Sequence, residues 1–347
     1  MMTALVMMVS MVLTSLPAVA QETTPDDFDQ IRTKWQHMAM GGDYDENDPR
    51  MQVLLQSIND VAQDLLDRIN PDPTPDWGDN DYLWTEYMLG KRKSAYDDSN
   101  NVQFSYRNLR NMAIAYQTKG CDLYKNEELK NEIFRGLEYL YEYHYYPAMY
   151  GTGDHSGRYG NWFTWQVGGP IYLSEATLLM YDEMDLETVQ KYATIARDGA
   201  NTYSGGSGAI TNPNEGANGL WHNRVLMLTA IMLKDGDMMQ DVSDAVPYYI
   251  QYVKSGDGYY PDGTFAFHGN FVYNGGYGKE AFSDISHFFL LLSDSPWEIP
   301  LDKAEAFYQI VRDSYAPLMY KGARPARAIG DSHFPLVHFS SPSVHLF

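Results

Sequence analysis

MQVLLQSINDVAQDLLDRI, residues 51–69, decides the fold. Met51, Leu54, Leu55, Ile58, Ala62, Leu65 and Ile69 recur at three- and four-residue steps, which lays one apolar stripe along a helix, and Asn70-Pro71 stops it. A sheet would need sustained alternation, and few segments of the chain show it. Helix-compatible spacing returns over 101–117, 128–145, 171–181, 187–202, 220–233, 239–252, 279–292 and 302–315, separated by loops rich in Gly, Asn, Asp and Pro. The chain therefore predicts a mainly α fold in which antiparallel helical hairpins are arrayed as an incomplete (α/α) toroid, with function on the loops at one rim.

Outside the helices, the first twenty residues, MMTALVMMVSMVLTSLPAVA, carry no charge and close on small residues at Ala18 and Ala20. This is the pattern of a secretory signal cleaved before Gln21, and its apolar run of roughly thirteen residues is too short for a membrane span. A secreted or periplasmic protein is expected, with a polar, mobile lead over 21–30, one helical domain over 21–330 and an atypical tail over 331–347. The single cysteine, Cys121, allows no internal disulfide and reads as a small packed residue or a spare thiol.

Forty-four per cent hydrophobic residues mark a globular chain. The net charge of −21 argues against nucleic acid, whose phosphates need clustered Lys and Arg. An anionic polysaccharide stays open because binding follows the local field of a cleft rather than the global sum. The 28 Tyr, 14 Phe and 7 Trp suit a protein that stacks on sugar rings, although most such residues in any protein only pack.

Three loop segments place polar groups among glycines and aromatics. In NWFTWQVGGP (161–170), Asn161, Trp162, Phe163 and Trp165 offer an amide and stacking faces, or else the start of a helix whose tryptophans are core. In EGANGL (215–220), Asn218 precedes a long apolar helix, where its amide either caps backbone donors or binds a ligand carboxylate. In DGTFAFHGNFVYNGGYG (262–278), His268 and Tyr277 lie nine residues apart on a glycine-rich loop and can converge on one substrate proton, with Tyr273 between them. A fourth segment, KGARPAR (321–327), supplies Arg324 and Arg327, which can neutralise an anionic substrate or lower a tyrosine pKa, or simply end a helix.

Taken in order over roughly residues 50–330, these segments resemble the α-helical domain of polysaccharide lyase family 8, the chondroitin AC, hyaluronate and xanthan lyases. The resemblance implies Asn218 as the carboxylate-neutralising amide, His268 and Tyr277 as the catalytic pair, and Trp162 and Phe163 as an aromatic patch beside Asn161. It sets Arg327 at the family's first catalytic-segment arginine, while Asp331 stands where a second belongs. It also implies β-sandwich domains beyond the helices, which residues 331–347 are too few to supply, so a fragment or a reduced form is expected.

The reaction so implied is β-elimination on a chondroitin- or hyaluronan-type uronic-acid polymer, with no cofactor and no metal. Asn218 stabilises charge on the sugar carboxylate; Tyr277 is favoured as the shuttle that takes the ring proton and returns one to the departing oxygen, with His268 as the alternative proton acceptor or as the group that holds Tyr277 in its working ionisation state. A hydrolase on the same scaffold would need two flanking carboxylates, for which Asp154, Glu215, Asp262 and Glu280 are candidates without forming a distinctive pair. A carbohydrate-binding remnant that keeps the Trp162 and Phe163 platform without turnover is the other alternative.

Overall fold

The computed structural model describes residues 26–76, 78–89, 99–147, 158–205, 208–269 and 271–318. Its α-helices are α1 (Asp27–Ala39), α2 (Pro49–Arg68), α3 (Asn100–Gln117), α4 (Glu127–Tyr143), α5 (Gly169–Leu179), α6 (Leu186–Ser204), α7 (Gly216–Leu233), α8 (Gly236–Ala245), α9 (Tyr277–Leu292) and α10 (Leu301–Ile310). The opening stretch 51–69 is the interior of α2, started by Asp48 accepting from Arg50 N at 2.8 Å and by Pro49 in its first turn. Leu55, Ile58, Ala62 and Leu65 are the buried stripe that the spacing implies. The leucine and isoleucine side chains among them each contribute roughly 1.5–3 kcal/mol on burial.

Helices alternate between two layers. α3 packs on α5, α5 on α7 and α7 on α9, which makes every second helix part of an inner arc, while α2, α4, α6 and α8 lie against their chain neighbours. α5 and α7 are buried on nearly every face, as helices apolar all round must be. The arrangement is an incomplete α/α toroid. Among the described residues no helix is long and apolar enough to cross a membrane.

Several boundaries differ from the sequence expectation. The lead at 21–30 is not a mobile segment throughout, because α1 starts at Asp27 under an Asp26 cap and buries Ile31, Trp35 and Ala39. Phe28, Ile31, Trp35, Met38 and Ala39 recur there with helical spacing, a stripe that begins inside the polar lead. The helix expected over 239–252 ends at Ala245 and continues as a 3₁₀ turn, Val246–Ile250, where Pro247 has no N–H to donate. The one expected over 302–315 passes into a π-turn at Val311–Tyr315.

A small antiparallel sheet also appears, formed by β1 (Gly258–Tyr259), β2 (Phe265–Phe267) and β3 (Phe271–Val272). Its register pairs Tyr259 with Phe265 and Phe267 with Phe271. Strands this short carry no alternation to read. Cys121 is a packed core residue whose Sγ lies 3.5 Å from Leu55 O, and burial pushes its thiol up to about 11.

Candidate active site

The sheet exists to place His268. Phe267 and Phe271 close the β2–β3 hairpin, and His268 and Gly269 turn the chain between them with φ of 56° and 74°. A non-glycine residue is uncommon in this left-handed region and is held there by local support. That support comes from Asp257, whose carboxylate accepts from His268 N at 3.1 Å and Gly269 N at 3.0 Å. Further along, buried Asn274 accepts from Phe265 N at 2.9 Å and donates to Gly263 O at 2.8 Å, which folds the glycine-rich return back onto β2.

That return delivers Tyr277 as the first residue of α9. His268 Nε2 stands 3.1 Å from the Tyr277 hydroxyl, with the two rings nearly perpendicular. His268 is exposed and Tyr277 half-buried. Burial pushes the phenol above its ordinary value, and Tyr273 beside it adds in the same direction. Arg327, expected to lower the phenol, lies with Arg324 and Asp331 outside the described residues.

Asn218 is brought near by α7. Gly216 opens that helix with φ 53°, and a Cβ there would fall 2.6 Å from the Phe267 ring, so only glycine lets α7 meet β2 so closely. Asn218 sits in the first turn rather than capping it, and no side chain caps α7. Beside this turn, Tyr203 of α6 donates to Glu215 Oε2 at 2.6 Å. One turn on, Trp221 shares the face of Asn218 and contacts Tyr277, with ring centroids 5.8 Å apart.

An aromatic wall joins these groups. From Tyr277 it runs through Trp221 to Phe163 at 5.2 Å, then to Trp162 at 5.9 Å, and ends on Tyr203, which stacks on Trp162 at 5.1 Å. Trp162 is 37% exposed and keeps surface for a ligand. Trp165 does not. It is 2% exposed, its Nε1 donates to Tyr159 O, and its carbonyl accepts from Tyr145, so the expectation of a substrate contact is corrected to a core role. Asn161 spends its amide oxygen on Phe163 N at 3.0 Å, which starts the helical turn carrying Trp162 and Phe163.

Sequence reasoning missed Tyr203, Trp221 and Asp257 as site residues. Trp221 was within reach as the residue three after Asn218, whereas Tyr203 and Asp257 join only through tertiary structure. The candidate hydrolase carboxylates are engaged separately: Asp262 holds Thr264 N at 3.0 Å, Glu280 lies beside Lys279, and Glu215 is bound to Tyr203. Asp154 lies outside the described residues.

Residues 35–332 match the family model described as polysaccharide lyase family 8, N terminal alpha-helical domain. The chain is 30% identical to a xanthan lyase of Bacillus sp. (strain GL1) over 86% of its own length and 30% of that enzyme's. It is 27% identical to a hyaluronate lyase of Thermasporomyces composti, covering 86% of this chain and 35% of the relative. Among solved structures, a Streptomyces coelicolor A3 chondroitin AC lyase in complex with chondroitin sulphate superimposes with a TM-score of 0.74 at 26% identity, over 88% of this chain and 38% of the other. A Paenibacillus xanthan lyase does so with a TM-score of 0.73 at 32% identity, over 86% and 26%. The chain thus spans about a third of the length of these relatives.

Proposed function

Because the chain belongs to polysaccharide lyase family 8 by its N-terminal α-helical domain, we propose that it cleaves an anionic, uronic-acid-containing polysaccharide by β-elimination. The observation that carries this reading is the 3.1 Å contact between His268 Nε2 and the Tyr277 hydroxyl at the foot of an aromatic wall. Trp162 and Phe163 receive sugar rings by stacking, as aromatic faces do. Asn218 holds the uronate carboxylate and stabilises the enolate-like charge that develops there.

Tyr277, whose phenol burial holds above its ordinary value, enters the reaction as the acid. His268 Nε2 accepts the C5 proton, the electron pair forms the C4–C5 double bond, and the C4–O bond breaks. Tyr277 gives its proton to the departing oxygen. The imidazolium then returns a proton to the phenolate across their shared hydrogen bond, and both groups regain their starting forms. We also propose export of the protein on residues 1–20.

The test is ultraviolet detection of unsaturated uronate on a panel of uronic-acid polymers. Tyr277→Phe and His268→Ala are each expected to lower kcat by about 10²–10⁴, the usual worth of a positioned acid or base. Full turnover by both variants would dismiss the pair, and chain cleavage that yields new reducing ends without unsaturated uronate would point to hydrolysis instead.

A further inference from the structure

The aromatic wall does not stop at Tyr277. Tyr273 meets the Tyr277 ring at 5.4 Å and the His268 ring at 6.2 Å, and Phe271 meets Tyr273 at 6.4 Å. Phe271 pairs across the hairpin with Phe267, whose ring lies 4.2 Å from Tyr277, and cross-strand partners share one face of a sheet. Phe271 is therefore on the face that carries the acid/base pair, yet it is 63% exposed where Phe267 is 2% exposed. Trp162 stands at the other end of the same run of contacts, beyond Trp221 and Phe163. The acid/base pair thus lies between two exposed rings. A single exposed apolar side chain needs no explanation on a protein surface. Phe271 differs because its hairpin is pinned at both ends, by Asp257 on the N–H groups of His268 and Gly269 and by Asn274 on Phe265 N. A flat apolar ring fixed beside reacting groups and open to water has the form of a stacking platform.

We propose that Phe271 is a substrate-binding residue: its ring stacks on the sugar that lies across the His268 and Tyr277 pair from Trp162, a subsite on the second flank of the site. The proposal rests on the lyase reading only in taking a polysaccharide to cross that pair. The ligand class follows from the side chain. Phe271 has no polar group to donate or accept, so it offers one apolar face, which the C–H face of a pyranose matches while the hydroxyls at the ring edge stay in water. Such a contact is made alike before and during the reaction, so it adds affinity without lowering the barrier.

The test is calorimetric binding of hyaluronan, chondroitin and xanthan oligosaccharides to the full chain, with unsaturated product followed by absorbance on the same ligands. Phe271→Ala is expected to weaken Kd and raise KM by about tenfold, the scale of one stacked ring, with kcat changed by less than about twofold. Phe271→Trp presents a larger face and should bind at least as tightly as wild type. Val272→Ala trims the neighbouring side chain, which is 52% exposed on the opposite face of the strand, and should match wild type. Thermal melts of the three variants report whether the hairpin holds. An Ala variant that binds like wild type, a Trp variant as weak as Ala, a loss carried by kcat instead of KM, or an equal loss in Val272→Ala overturns the proposal. Weaker binding by the Ala variant with no unsaturated product from wild type would sink the lyase reading and leave the subsite standing, whereas product formed with affinity and KM unchanged in the Ala variant does the reverse. Wild type that neither binds these ligands nor yields product overturns both.

Discussion

His268 holds φ at 56°, a conformation that costs a non-glycine residue roughly 1–2 kcal/mol. The cost is offset locally, because two adjacent backbone N–H groups converge on one carboxylate, Asp257, and charge-assisted hydrogen bonds are the stronger kind. Asp257 touches neither the imidazole nor Tyr277 and acts through the turn, as a positioning residue. With Asp257→Ala the hairpin tip relaxes and the 3.1 Å contact between His268 and Tyr277 loosens. We expect kcat to fall by about 10–100-fold with KM little changed, since misplacing a reacting group by about 1 Å costs on that order. Asp257→Asn, which keeps one acceptor oxygen, should recover part of the loss. Steady-state kinetics on the three proteins decide it: equal losses in Ala and Asn, or a change confined to KM, would remove Asp257 from the site.

At the scale of elements, the meeting of α7 with β2 joins the amide to the acid/base pair. Phe267 lies against Tyr277 with centroids 4.2 Å apart on one side, and approaches Gly216 on the other. Gly216→Ala would add a methyl 2.6 Å from that ring and force an L-residue to φ 53°. A loss of about 2–3 kcal/mol follows from strain and overpacking together, and a thermal melt would register it as a drop of several degrees. An unchanged melting temperature would show that α7 and β2 are not held together this tightly. Helices such as α2 and α4 were legible because one wide apolar stripe repeats along them, and the His268 to Tyr277 spacing was legible because both lie on one continuous loop. The three strands were not, being two or three residues each, and neither were the breaks after Ala245 and Ile310, where tertiary packing and Pro247 decide. Asp257 and Tyr203 were invisible for a related reason: their roles come from hydrogen bonds and stacking with residues of other elements.

At the scale of the molecule, the inner arc is laced by charge. Arg110 on α3 and Arg224 on α7 both reach Glu175 on α5, at 3.1 Å and 2.5 Å, and Arg224 also reaches Asp284 on α9 at 3.1 Å. Despite desolvation, Arg110 and Arg224 hold Glu175 below its ordinary value. Asp284 differs: burial, with Glu280 and Glu175 adding to it, outweighs Arg224 and pushes the carboxyl up to about 6. Nearby His287 is pushed down to about 4, by burial first and Arg224 second. The two titrations have opposite signs. As pH falls from 6.5 towards 4, the fold gains from Asp284, whose buried form takes up a proton before the unfolded chain does, and loses from His287, which the fold keeps neutral while the unfolded chain protonates. The gain and the loss nearly cancel in the wild type. Asp284→Asn removes the gain alone and leaves Arg224 its partner Glu175, so the variant should lose roughly 2–3 kcal/mol relative to wild type across that window. Thermal melts of both proteins at pH 6.5 and pH 4 measure the difference, and a gap in melting temperature that stays constant between the two pH values would show that Asp284 is already ionised throughout the window in the folded state.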